Sequence, residues 1–193
     1  MKRNNKGFSL VELIIVIAIM AILAAAIAPA IIRYIAKSRK GVDVETAKTF
    51  YDAAALAMVE DELYHDVDNA GNDTGFMGDA GTPISVQDDI GNSYDITVIC
   101  YMTPVPIGDG ALYPINANTE AFTEYVGLTM GVGDSSKKSK TIKVKYKKDS
   151  GKGTPTTWLV VRREDNSTCE IWLGGNSTTP MYKLYPNPEK EYQ

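Results

Sequence analysis

The chain has 193 residues, with 24 acidic and 20 basic side chains and a formal net charge of -4. That length supports one modest globular core rather than two, and the acidic balance argues against bulk binding of a polyanion such as nucleic acid. Its two cysteines and one histidine form no metal-ligand spacing.

In chain order the first element is an apolar run. From Leu13 to Ile32 there are 20 residues without a charge, which at ~1.5 Å of rise per residue make a helix of ~30 Å, the thickness of a bilayer's hydrocarbon core. Lys2, Arg3 and Lys6 precede it, as in a secretory signal, and Ala26-Ile27-Ala28 resembles a cleavage site. The run nevertheless exceeds the usual apolar region of roughly 7–15 residues, and Pro29 follows the supposed scissile bond. Arg33, Lys37, Arg39 and Lys40 flank its other end, so basic residues on both sides leave the orientation undecided. One carboxylate, Glu12, stands at the mouth of the run. An ionised acid beside hydrocarbon is costly unless partnered, so Glu12 either implies a counter-charge or snorkels to the interface from the helix end.

A basic leader ending in Gly7, then Phe8, Ser9, Leu10, Val11, Glu12, Leu13 and an Ile/Val/Ala-rich helix, resembles the amino terminus of the type IV pilins, a family that includes the pseudopilins of secretion and competence systems. The likeness covers about the first 35 residues. It implies that a prepilin peptidase cleaves between Gly7 and Phe8 and methylates the new amine. Glu12 then becomes the fifth mature residue, and the Phe8 amine of an incoming subunit meets the Glu12 carboxylate of a neighbour during assembly. Pro29 falls where many members carry a proline that bends the helix. The implied partners are further copies of the chain, the peptidase, an assembly ATPase and a platform membrane protein. The implied path runs from a single-pass precursor in the cytoplasmic membrane, amino terminus inside, to an extracellular pilus. A pseudopilin of a secretion or DNA-uptake system is the alternative.

Beyond Arg33, Ile35, Val42, Ala47, Phe50, Tyr51, Ala54, Ala57 and Met58 recur at spacings of three, four and seven, the stripe of an amphipathic helix seeking a globular partner. If helical from Phe8 to about His65, the segment is ~87 Å long, with Pro29 and Gly41 as its weak points. The expected organisation is a leader over 1–7, a transmembrane or filament-core helix over 8–32, an amphipathic continuation over 33–65, and a head over 66–193.

Within the head, 66–91 is rich in Gly, Asp and Asn and reads as a surface loop. Residues 94–102, YDITVICYM, read as a strand, and 118–128 as a short helix capped by Asn118. In TIKVKYK, Ile142, Val144 and Tyr146 alternate with Lys143, Lys145 and Lys147, a strand pattern with one basic face. TTWLVVRR (156–163) and TCEIWL (168–173) follow as further strands. The expected fold is α+β: a long spine helix packed on a small antiparallel sheet, in agreement with the pilin resemblance.

Charge is uneven along this head. Glu60 to Asp95 holds ten acids and no Lys or Arg, whereas Lys137 to Arg163 holds ten basic residues and one acid, Asp149. Three readings of Lys143, Lys145 and Lys147 stand side by side: a solvated strand face, contacts with an acidic region of a neighbouring subunit, and phosphate contacts to DNA. Removing Lys2, Arg3 and Lys6 with the leader takes the net charge from -4 to -7, which weighs against the last.

Cys100 and Cys169 pair as a disulfide if their strands are adjacent, or stand as small buried hydrophobes. Asp66, Asp68, Gly71 and Asp73 echo a calcium loop, but Ala70 and Met77 occupy ligand positions, so no metal is expected. His65 lacks a catalytic companion, and no nucleophile–base pairing or phosphate-binding glycine loop is present. The expectation is a structural protein without a cofactor.

Overall fold

A computed structural model of the chain describes residues 8–59, 82–102, 112–115, 119–132, 142–146, 151–165 and 168–193. They belong to two compact units, divided after Ser38. Helix α1, Leu10–Val59, is 50 residues long and contains Pro29 without interruption.

In the first unit, residues 8–35 are all exposed. An 18-residue window of α1 has a mean hydropathy of 3.0 and none of it is buried. Ile14 and Leu23, half a helical circumference apart, are 50% and 56% exposed. A helix apolar on every side suits lipid or a bundle of like helices, not water.

In the second unit α1 buries Asp43, Ala47, Phe50, Ala53, Ala54 and Ala57. These positions fall on one face by the helical period, and the alanines let the sheet approach closely. Among the described residues the sheet has six strands, all antiparallel: β1 Ile84–Gln87, β2 Ser93–Met102, β3 Tyr113–Pro114, β4 Thr157–Arg163, β5 Cys169–Gly174 and β6 Pro180–Tyr185. The order is β1-β2-β4-β5-β6, and β3 pairs with the far end of β2. A second helix, α2, Glu120–Thr129, buries Phe122, Thr123, Val126 and Gly127.

Register assigns the two faces of the sheet. Trp158 opposes Leu173 and Val160 opposes Ile171, and on this face Trp158 stacks on Phe50 of α1 with ring centroids 5.4 Å apart. Tyr185 meets Tyr51 of α1 at 4.7 Å. The opposite face also carries a core: Ile96, Val98, Leu159, Val161 and Trp172 cluster there, with Ile84, Val86 and Tyr94 packed against them. Burial on both faces explains why WLVV and IWL run apolar without alternation.

The fold bears out the long helix on an antiparallel sheet and alters several details. Part of the expected 66–91 loop is strand β1, whose Ile84 and Val86 point inward while Ser85 and Gln87 face out; a short alternating run amid turn residues hides its period. The TIKVKYK strand is not found. Residues 142–146 make no ladder, although Val144 and Tyr146 are buried and Lys143 and Lys145 exposed as the alternation requires. They are held instead by the Trp158 indole, which donates to the Ile142 carbonyl at 3.0 Å, and by Asp43, which accepts the backbone N–H groups of Lys145 and Tyr146 at 2.8 Å each. The cap of α2 falls at Thr119, one residue after Asn118. Strand β6 was not anticipated; Pro180 opens it at the edge, where a missing donor is tolerated. The calcium-like stretch and His65 lie outside the described residues, as does the expected helical continuation over 60–65.

Candidate assembly surface

The start of α1 is where the sequence concentrates its chemistry. Gly7 lies outside the described residues, and Phe8 is 87% exposed. Glu12 reaches back along the helix: its Oε2 accepts the Ser9 backbone N–H at 3.0 Å, while Ser9 Oγ accepts the Val11 N–H at 3.4 Å. This is a variant of the Ser-x-x-Glu capping box, in which Glu12 takes the Ser9 N–H and the Ser9 hydroxyl lies on the Val11 N–H instead of that of Glu12. The counter-charge expected from the sequence is not what holds Glu12 here: a backbone donor does, at the Ser-x-x-Glu spacing of Ser9 and Glu12. The cap reduces the cost of a carboxylate beside an apolar run, because the anion also faces the positive end of the helix dipole. It also fixes the carboxylate one residue from Phe8.

Pro29, lacking an N–H, leaves the Ala25 carbonyl without its usual helical donor.

On the head, Lys143 and Lys145 are exposed, and no ion pair among the described residues holds either; Lys147 lies outside those residues. Other cations of the basic stretch are committed within the chain. Arg162 pairs with Glu164 at 3.0 Å, Arg163 with Asp165 at 2.6 Å, and Lys152 with Glu189 at 2.9 Å. Among the described residues of that stretch, Lys143 and Lys145 are therefore the cations left outside an ion pair. Glu170, buried on the second face of the sheet, accepts the Trp172 indole N–H at 2.8 Å and the Tyr94 hydroxyl at 3.2 Å, with Lys183 at 3.6 Å and Arg163 at 3.8 Å.

The disulfide alternative for Cys100 and Cys169 is set aside, since both are free, buried thiols. Cys100 pairs across to Val160 and Cys169 to Arg162, on opposite edges of β4. Two strand spacings separate them, ~9.6 Å, beyond the ~7 Å Cα limit for a bridge. Burial raises both thiols, Cys169 up to about 12. Cys169 instead lies against Met58 of α1, sulfur to sulfur at 3.1 Å.

Among the described residues, no group of three or more His, Cys, Asp or Glu is placed to hold a metal ion.

Residues 2–28 match the family model described as the prokaryotic N-terminal methylation motif, a span that includes Gly7, Phe8 and Glu12. The chain is 36% identical over 78 residues to the type IV major pilin protein PilA of Myxococcus xanthus (strain DK1622). That match covers 40% of this chain and 34% of the relative, so the chain matches about a third of the relative's length. No solved structure matches.

Proposed function

We propose that this chain, whose methylation motif and similarity to a major pilin support a place in the type IV pilin family, is a structural subunit that polymerises into an extracellular pilus. The observation that carries the reading is the first unit of α1: a membrane-length helix exposed on every side, with a single carboxylate at its mouth. Such a helix needs a partner all round, lipid before assembly and copies of itself afterwards. The similarity to a major pilin favours the pilus over the pseudopilin alternative.

The mechanism follows from the amino-terminal geometry. In the precursor, Glu12 is satisfied by the Ser9 N–H. Cleavage at Gly7 creates an amine on Phe8 with an ordinary pKa of roughly 7.7–8, and methylation keeps its positive charge. The amine of an incoming subunit then meets the Glu12 carboxylate of a neighbour, which sets register as the helix leaves lipid for the filament core. Removing one member of such a buried pair costs roughly 3–5 kcal/mol, because the other charge is left unpaired. Pro29 supplies local give where the helix must bend against its neighbours. A prepilin peptidase, an assembly ATPase and a platform membrane protein complete the machinery.

The test is a comparison of wild type with Glu12→Ala and Glu12→Gln in the fraction sheared from cell surfaces. Wild type is expected there, with both variants retained in the membrane at normal abundance. Shearing of Glu12→Ala at wild-type yield would contradict the docking role.

A further inference from the structure

The turn joining β1 to β2 places Ile90 at its tip, 86% exposed. It is a fixed knob, because Asp88 accepts the backbone N–H groups of Ile90 at 3.0 Å and Asn92 at 2.8 Å, and the Asn92 side-chain amide at 3.0 Å. Gly91 completes the turn at φ 91°, in the left-handed region that glycine enters without strain. Those donors, the Asn92 N–H foremost, hold the Asp88 carboxyl below its ordinary range, so the tip is anionic, and exposed Asp89 adds a second acid, whose Oδ2 accepts the Lys190 backbone N–H at 3.0 Å.

Elsewhere on the same unit an open groove of about 460 Å³ runs between α1 and the 142–145 segment. Val42, Met130 and Ile142 give it apolar surface, Thr46 and Thr49 add hydroxyls, and Lys143 and Lys145 line it with positive charge; Glu45 is its one acid. A tip with two acids followed by one exposed apolar side chain matches a groove that offers apolar surface and two lysines. Since Ile90 is almost fully exposed, the tip does not occupy its own chain's groove.

We propose that the Ile90 tip of one copy seats in this groove of a second copy, with Asp88 and Asp89 facing Lys143 and Lys145. The inference rests on the subunit reading above and names a head contact within it. The patches differ, so the contact is heterologous, the type from which an open helical polymer is built. Charge complementarity selects a second copy, because each chain carries both an anionic tip and a groove whose two lysines no ion pair among the described residues holds.

The experiment co-expresses Ile90→Cys and Lys143→Cys chains, the native thiols being buried, and oxidises the surface-sheared fraction mildly before a non-reducing gel. A dimer-sized band seen only when both variants are present is the expected result. Filaments that contain both variants but give no such band would overturn the contact and leave the subunit reading standing. No surface polymer from wild type would overturn the reading, and the contact with it. Should the cysteine chains stay out of filaments, charge reversal decides: Lys143→Glu is expected to lower filament yield several-fold and Asp89→Lys to restore it, and lack of restoration overturns the contact.

Discussion

Asp43 accepts the backbone N–H of Tyr146 at 2.8 Å, across 103 residues of sequence. With the matching bond from Lys145, one buried carboxylate on the helix stripe takes the place of the ladder partner that residues 142–146 lack. Asp43→Ala would leave two amides unpaired in the core. The expected loss is ~2–4 kcal/mol, from the desolvation cost of unsatisfied donors, measured by denaturant titration of the detergent-solubilised chain. A loss within ~0.5 kcal/mol, the level of ordinary surface substitutions, would contradict the assignment.

The same residue sets a pH dependence. Burial raises the Asp43 carboxyl above its ordinary 3.8, outweighing the two N–H donors and the charge of Lys145. The folded state therefore holds this proton more tightly than the unfolded state, and the group's contribution falls as pH rises through the folded pKa. Wild type should gain stability relative to Asp43→Asn as pH drops from neutral toward that pKa. Paired denaturation curves at neutral and mildly acidic pH check the sign, and a relative loss on acidification would contradict it.

How much of this was legible beforehand depends on the element. The apolar run, the spine helix and strands β2, β4 and β5 were legible because long periodic or continuous apolar runs carry their own signal. Asp43 was not: an acid between Val42 and Val44 reads as a solvated face until the tertiary fold supplies two amides from 102 and 103 residues away. Lys143 to Tyr146 kept their inside–outside alternation, yet alternation shows which side chains are buried and not whether a neighbouring strand exists. At the start of α1, Glu12 was legible as an anomaly, whereas its Ser9 partner was not read from the Ser-x-x-Glu spacing.

Gly41 lies inside α1, with open space for at least 4 Å where a side chain would project. Gly41→Ala should therefore stabilise the helix by ~1 kcal/mol, the propensity difference in an exposed interior. A raised melting temperature is the expected readout, and a lowered one would mean that the site needs glycine's freedom.

Both thiols are buried and raised, chiefly by desolvation. Native protein should resist a thiol-specific reagent, and denatured, unreduced protein should titrate two thiols per chain. No free thiol after denaturation without reductant would restore the disulfide.

Phe50 is fully buried and stacked on Trp158. Phe50→Ala should cost ~3–5 kcal/mol, the range for deleting a core aromatic, read from the denaturation midpoint. A near-neutral change would contradict the packing of spine on sheet.

The central claim is that the chain is processed at Gly7 and polymerised through its exposed helix. Intact-mass analysis of protein sheared from cell surfaces tests it most directly. The account predicts a chain beginning at Phe8 and carrying one added methyl group at its amino terminus. A chain beginning at Met1 and confined to the membrane would contradict it.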